Sequence, residues 1–159
     1  METDAELRFD RGDETPERLK RQIQRLMGMT GAQMGKVSGA ALAAVGARRD
    51  HFVVLAVLAE CGPSSQSQIA DRARVYRSDL VAVLNELEGA AQIRRDPDPA
   101  DKRRNVITLT DAGRERLAEL DAVLEGVNER IMAPLSETER RELFRLLGRI
   151  NAHLAADGA

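Results

Sequence analysis

The chain has one cysteine, no tryptophan, one tyrosine and three phenylalanines. A lone thiol, Cys61, forms no internal disulfide, so the fold has no covalent staple. His51 and His153 lie far apart and make no local metal motif, which predicts no bound metal. The longest unbroken apolar run, residues 52–59, has eight members, whereas a membrane span needs roughly 20. Residues 1–17 carry acids and no apolar segment, so no secretory signal is expected. These absences predict a cytoplasmic protein with no membrane partner. No glycine-rich phosphate loop, Cys/His pair or serine elbow is visible, which predicts no enzyme, no catalytic residue and no cofactor.

What is present is helix-forming and charged. Among 159 residues are 23 Ala and 18 Leu, both strong helix formers. Basic and acidic residues nearly balance, 24 against 26, which excludes a generic polybasic nucleic-acid binder. Any DNA-binding face must therefore come from local segregation of charge.

Residues 1–14 are polar and irregular and read as a flexible tail. Thr15-Pro16-Glu17 reads as a helix start, with Thr15 as cap and Pro16 in the first helical position. Leu19, Ile23, Leu26, Met34, Val37, Ala41 and Val45 recur at helical spacing, predicting one amphipathic helix over residues 15–47. A rod of about 30 residues spans about 45 Å; it either kinks or packs against another subunit. Asp50 can cap a second helix running to Cys61, stopped by Gly62-Pro63. Ser65 and Gln68 form a capping box opening a short helix with Ile69 and Ala73 inward. After Arg74-Val75, Leu80, Val83, Leu84 and Leu87 line one face of a further helix, giving a helix-turn-helix. Residues 92–95 and 105–109 read as two strands of a hairpin with a basic tip; Asp96-Pro97-Asp98-Pro99 is expected to end the first. Thr110 caps a helix carrying Leu117, Leu120, Leu124, Val127 and Ile131, stopped by Pro134. Ser136 and Glu139 form a second capping box before a last helix with Leu143, Leu146, Leu147, Ile150 and Leu154. The fold class is thus mostly α with a small β-hairpin. A winged helix-turn-helix lobe over residues 48–109 is expected beside a helical dimerisation lobe, formed by residues 15–47 and 110–159.

The stretch from Gly62-Pro63 through Ser65-Gln66-Ser67-Gln68-Ile69-Ala70, then Leu84-Asn85-Glu86-Leu87, resembles the MarR family of bacterial transcriptional regulators. So does Asp96-Pro97-Asp98-Pro99-Ala100-Asp101-Lys102-Arg103-Arg104 with Val106-Ile107-Thr108-Leu109-Thr110 and Gly113. The wing pattern, D-P-x-D-[KR]-R followed by V-x-L-T-x-x-G, is the most specific part. The resemblance implies a homodimer held by the first and last two helices. It implies binding to a pseudo-palindromic operator in double-stranded DNA and release by a small-molecule effector or oxidant. Departures fall where DNA would be read. The family's D-[RK]-[SP]-T-[VL]-[ST]-R is here Tyr76-Arg77-Ser78-Asp79-Leu80-Val81-Ala82, and its x-G-L-[IV] is Ala90-Ala91-Gln92-Ile93. Either the operator is unusual or DNA affinity is weak. The alternative is a winged-helix protein-interaction module with weak or lost operator binding.

The candidate DNA-binding residues follow. Arg103 is expected in the minor groove, because a weakly hydrated planar cation suits a narrow groove. Asp101 is expected to orient it. Lys102 and Arg104 either contact phosphate or are simply solvated. Tyr76, Arg77, Ser78 and Asp79 open the recognition helix, and a carboxylate there either repels phosphate or accepts from cytosine. Ser65 and Ser67 cap their helix, and its positive end can hold a phosphate. Met27, Met34, His51 and Phe52 are candidates for an effector pocket. Cys61, in an apolar setting, reads as a buried inert thiol.

Overall fold

The computed structural model describes residues 15–157. The tail expected over residues 1–14 lies outside them. The elements run α1 (Glu17–Lys20), α2 (Ile23–Ala44), α3 (Arg49–Cys61), β1 (Ser64–Ser65), α4 (Gln66–Ala73), α5 (Arg77–Gly89), β2 (Ile93–Pro97), β3 (Asn105–Leu109), α6 (Asp111–Ile131) and α7 (Glu137–Asp157). They fall into two compact units, one ending at Leu124 and the other beginning at Glu125.

The single long helix expected over residues 15–47 is interrupted near its start. Pro16, not Thr15, is the N-cap of α1, and Gln22 is extended (φ −88°, ψ 107°), breaking the rod before α2. The N–H of Gln22 turns back to Leu19 O, and the N–H of Leu26 starts the new helix on Gln22 O. Only Leu42 of α2 is buried; Leu19, Ile23, Leu26, Met27 and Val45 remain exposed.

The first unit packs α3, α4 and α5 around one apolar core. Val54, Leu55 and Leu58 of α3 meet Ile69 and Ala73 of α4 and Leu80, Val83, Leu84 and Leu87 of α5. Ile93, Ile107 and Leu109 close it from the sheet, and Leu120 from α6. Each large side chain so buried contributes about 1.5–3 kcal/mol relative to exposure. Two helix boundaries differ from the sequence reading. The cap of α3 is Arg48 rather than Asp50: the Arg48 N–H donates to His51 Nδ1 at 3.1 Å, so a histidine ring satisfies the orphan donor. Cys61, expected to be buried, is exposed together with Ala59 and Glu60, because the core reaches no further along α3 than Leu58.

The turn between α4 and α5 uses Arg74 in the left-handed region (φ 51°), where its N–H still bonds Ala70 O. The expected hairpin is a three-stranded sheet in the order β1-β3-β2. Its missed member is the two-residue β1, with Ser64 opposite Ile107 and Ser65 opposite Val106. Strand β2 continues through Asp96 and Pro97, the latter opposite Asn105. Pro97 is tolerated because β2 is an edge strand, where a missing N–H leaves no ladder bond unmade.

The second unit contains the end of α6 and α7. Ser136 and Glu139 make the expected reciprocal cap, Ser136 N–H to Glu139 Oε2 at 2.7 Å and Glu139 N–H to Ser136 Oγ at 3.3 Å. Arg140 of α7 donates to both carboxylate oxygens of Glu129 on α6, each at 2.8 Å. Leu143, Phe144, Leu146, Ile150 and Leu154 are exposed along α7.

Helix α5 ends in a Schellman turn. Ala91 N–H bonds Glu88 O and Gln92 N–H bonds Leu87 O, both at 2.9 Å, with Ala91 at φ 58°. This left-handed position is where the family pattern has glycine, so the Ala91 methyl is strained. Ala91→Gly should raise unfolding stability by about 1 kcal/mol. Urea denaturation of the two proteins measures it, and an unchanged or lower midpoint means that Ala91 carries no strain.

Candidate nucleic-acid interface

The wing tip is a built turn. Asp98 N–H donates to Arg104 O at 2.8 Å and Arg104 N–H to Asp101 O at 2.9 Å, closing the β2–β3 loop. Asp101 Oδ1 accepts from the Arg103 backbone N–H at 3.0 Å and from its Nε at 3.2 Å. Arg104 Nε lies 3.8 Å from the other carboxylate oxygen. The Arg103 side chain is 91% exposed, so its stem is fixed while its head stands in solvent. The Arg103 N–H first, then its guanidinium and the charge of Arg104, hold the Asp101 carboxyl below the ordinary aspartate range.

Pairing of β1 with β3 sets the start of α4 beside the stem of the wing. Ser65 Oγ accepts from Gln68 N–H at 3.3 Å, and Gln68 Oε1 accepts from Ser65 N–H at 2.9 Å, as the capping box predicts. Ser65 Oγ and Ser67 Oγ are 3.1 Å apart. With Gln66, Arg103, Arg104 and Asn105 they border an open cavity of about 270 Å³. Four expected residues thus meet in one place: Ser65 and Ser67 on the positive end of α4, Arg103 and Arg104 across from it. Gln66 and Asn105 were not singled out from the sequence, because the β1 pairing that brings them in spans only two residues.

Tyr76 is the N-cap residue of α5 and is 81% exposed. Arg77, Ser78 and Asp79 occupy its first turn, all exposed, with Ser78 Oγ donating to Asp79 Oδ1 at 3.3 Å. Lys102 is exposed in the wing loop.

Two ion-pair clusters, neither read from the sequence, grip α5 on its flanks. On one side Arg48 and His51 meet Glu86: the Arg48 guanidinium lies 2.9 Å from Glu86 Oε2, and His51 Nε2 lies 2.6 Å from the same oxygen. His51 Nδ1 already accepts the Arg48 N–H, so Nε2 carries the proton that it shares with Glu86. The hydrogen bond from Arg48, then that from His51, lowers the Glu86 carboxyl. On the other side Arg95 of β2 donates through Nε to Glu88 at 2.9 Å and through its terminal nitrogen to Asn85 Oδ1 at 2.7 Å. The second flank ties the recognition helix to the wing.

His51 and Glu86 also border a cavity of about 200 Å³, with Gln92 and Arg116 among its other walls. Arg116 is held by the carbonyl of Val45 and, at 2.9 Å, by Glu119. Of the four residues expected to form an effector pocket, His51 alone borders this cavity. Phe52 packs against the core, Met27 is exposed and Met34 is half-buried on α2. Among the described residues no cluster of His, Cys, Asp and Glu could hold a metal ion. No helix there is long and apolar enough to cross a membrane.

A helix-turn-helix followed by a β-hairpin wing, whose sheet is completed by a short strand ahead of the first of the two helices, defines a winged-helix protein. The chain belongs to the MarR family: the model of that family matches residues 49–104. The transcriptional regulator HosA of Escherichia coli O111:H- is 31% identical over 101 residues, 64% of this chain and 74% of that one. The HTH-type transcriptional regulator PecS of Dickeya dadantii is 39% identical over 110 residues, 65% of this chain and 64% of that one. The chain spans about three fifths of the length of several curated relatives it matches. Among solved structures, the Mycobacterium tuberculosis MarR family protein Rv2887 in complex with p-aminosalicylic acid is 27% identical, with a TM-score of 0.68 over 82% of this chain and 98% of that one.

A depressed carboxyl pKa fixes the sign of one pH effect. The Asp101–Arg103 contact exists above the ordinary aspartate pKa and is lost as pH falls through the lowered folded value. The Arg103 amide proton, followed by NMR down a pH series, should therefore shift with a midpoint below that of a free aspartate. Asp101→Asn should abolish this titration without moving the melting temperature. A midpoint at or above the ordinary value would show that this carboxylate does not hold the wing turn.

Proposed function

We propose that the chain is a sequence-specific DNA-binding transcriptional regulator, a homodimeric repressor that a small molecule releases. The observation that carries the reading is the convergence of the α4 N-terminus and the wing cations Arg103 and Arg104 on one cavity. Helix α5 enters the major groove with Arg77, Ser78 and Asp79 at the base edges, and α4 crosses the backbone. Ser65, Ser67, Tyr76, Lys102 and Arg104 serve phosphate, and Arg103 enters the flanking minor groove with Asp101 holding its stem. This assigns residues 48–109 to DNA and residues 15–47 and 110–159 to dimerisation. As such a regulator the protein works in the cytoplasm.

Repression and release follow the same line. Rv2887, named a repressor, is 28% identical over 91% of its length and was solved with p-aminosalicylic acid. The corresponding lever here is the cavity bordered by His51 and Glu86, since Glu86 sits on α5. A ligand that competes for the charges around Glu86 shifts the recognition helix and lowers operator affinity.

The dimer rests on apolar surface that the single chain leaves in water: Leu19, Ile23, Leu26 and Met27 in the first unit and Leu143, Phe144, Leu146, Ile150 and Leu154 in the second. An obligate interface buries more than about 2,000 Å². Sedimentation of the pure protein at micromolar concentration should give twice 17.5 kDa. A clean monomer at that concentration removes the dimer.

The wing supplies the direct test of function. In gel shifts with DNA from upstream of its own gene, Arg103→Ala should weaken binding and lower the salt slope by about one to two units per dimer. Arg103→Lys should restore charge but not any preference for A·T-rich flanks, because ammonium is more strongly hydrated. Wild-type affinity and salt slope in Arg103→Ala would mean that the wing does not touch DNA, and the interaction-module reading then gains.

A further inference from the structure

Helix α5 buries Leu80, Val83, Leu84 and Leu87, and its opposite side faces solvent. Along that outward side Glu86 is held by Arg48 and His51, and Asn85 by Arg95. What remains for a ligand in the first two turns is Arg77, Ser78, Asp79, Val81 and Ala82. Val81 is 45% exposed and Ala82 is exposed beside it. Ala82 thus lies near the centre of the face that would enter DNA and Val81 on its flank, about 100° round the helix. Neither can make a hydrogen bond, so neither can read a base through one.

The major-groove floor offers one apolar group, the C5-methyl of thymine. Resting on the DNA-binding reading above, we propose that Val81 and Ala82 select thymine in the operator half-site by packing against its C5-methyl group. The occupant is duplex DNA rather than a protein on two grounds. The patch is two small side chains, whereas a stable protein interface needs about 800 Å² per partner. Its surroundings are also cationic: Arg77 lies one turn before Val81, and the neighbouring helix α4 starts opposite Arg103 and Arg104. Polar contacts remain available beside the methyls, since Asp79 offers acceptors to a cytosine or adenine amino group.

The experiment first enriches a binding site from a random double-stranded pool with the full chain. Each thymine of the enriched site is then replaced by deoxyuridine, which removes the methyl and leaves the pairing intact. One or two thymines per half-site should lose about fourfold in affinity for each methyl removed. Val81→Ala keeps a strong helix former at an exposed site, so the protein folds, and it should shrink the loss at one of these positions, because the remaining methyl stands further from the groove floor than the two valine methyls. The deoxyuridine series on the unaltered protein needs no variant at all. An enriched site at which every thymine tolerates deoxyuridine overturns thymine reading while leaving DNA binding intact. So does a Val81→Ala protein with every deoxyuridine loss retained. A pool from which no sequence is enriched overturns the operator reading, and this inference with it.

Discussion

The structure depends on where α5 is held. Its apolar stripe of Leu80, Val83, Leu84 and Leu87 is sealed against α3, α4 and the sheet, which fixes the depth of the helix and its rotation. Rotation by one residue would expose a leucine and bury Asp79 or Glu86, a charge too costly to leave unpaired. The two flanking clusters then set its lateral position: Glu86 to Arg48 and His51, Glu88 and Asn85 to Arg95. The Arg48–Glu86 pair is exposed and individually weak, and the Arg95–Glu88 pair is part-buried. Their significance is geometric, because one ties α5 to the α2–α3 junction and the other ties it to the wing.

A second, smaller device joins the halves of the proposed DNA face. Two residues, Ser64 and Ser65, pair with β3 before the chain turns into α4. Ser64 is buried, donating to Gly62 O at 2.9 Å and accepting from Arg72 at 3.3 Å. Ser65 serves at once as a strand residue and as the cap of α4. The cationic wing and the positive helix end therefore move as one piece. Close approach elsewhere confirms how tightly the wing base is seated: a methyl on Gly113 would stand 2.5 Å from Leu109 Cδ1 and inside contact with Gln92 O. The Gln92 carbonyl cannot retreat, since it accepts the Thr110 N–H at 3.1 Å.

Charge is arranged by locality rather than by excess. The chain is formally −2, yet Lys102, Arg103 and Arg104 stand together on a loop whose two acids, Asp98 and Asp101, are consumed in shaping the turn. Four other arginines pair with carboxylates three or four residues away: Arg114 with Asp111, Arg116 with Glu119, Arg141 with Glu137 and Arg145 with Glu142. Such pairs neutralise helix surfaces and leave the wing as a distinct positive feature.

Periodicity and capping were legible in the sequence because they are local. The Ser65–Gln68 and Ser136–Glu139 boxes, the Thr110 cap accepting from Gly113 N–H at 3.1 Å, the strand over residues 105–109 and the stripe of α5 all follow from spacings within a few residues. The wing turn was legible for the same reason, as Asp101 and Arg103 are two apart. Tertiary structure decided what depends on distant partners. The end of α2 is secured by Arg116, 71 residues away, and Glu86 by Arg48, 38 away. The helix start at Arg48 uses a ring nitrogen of His51, which spacing alone could not distinguish from a cap by Asp50. Pro97 stays in a strand because β2 lies at a sheet edge, and Cys61 is exposed because the core ends before the last turn of α3. Edge position and the reach of the core are properties of packing: a residue's own chemistry states what it can bond to, and only the folded neighbours determine what is there to bond.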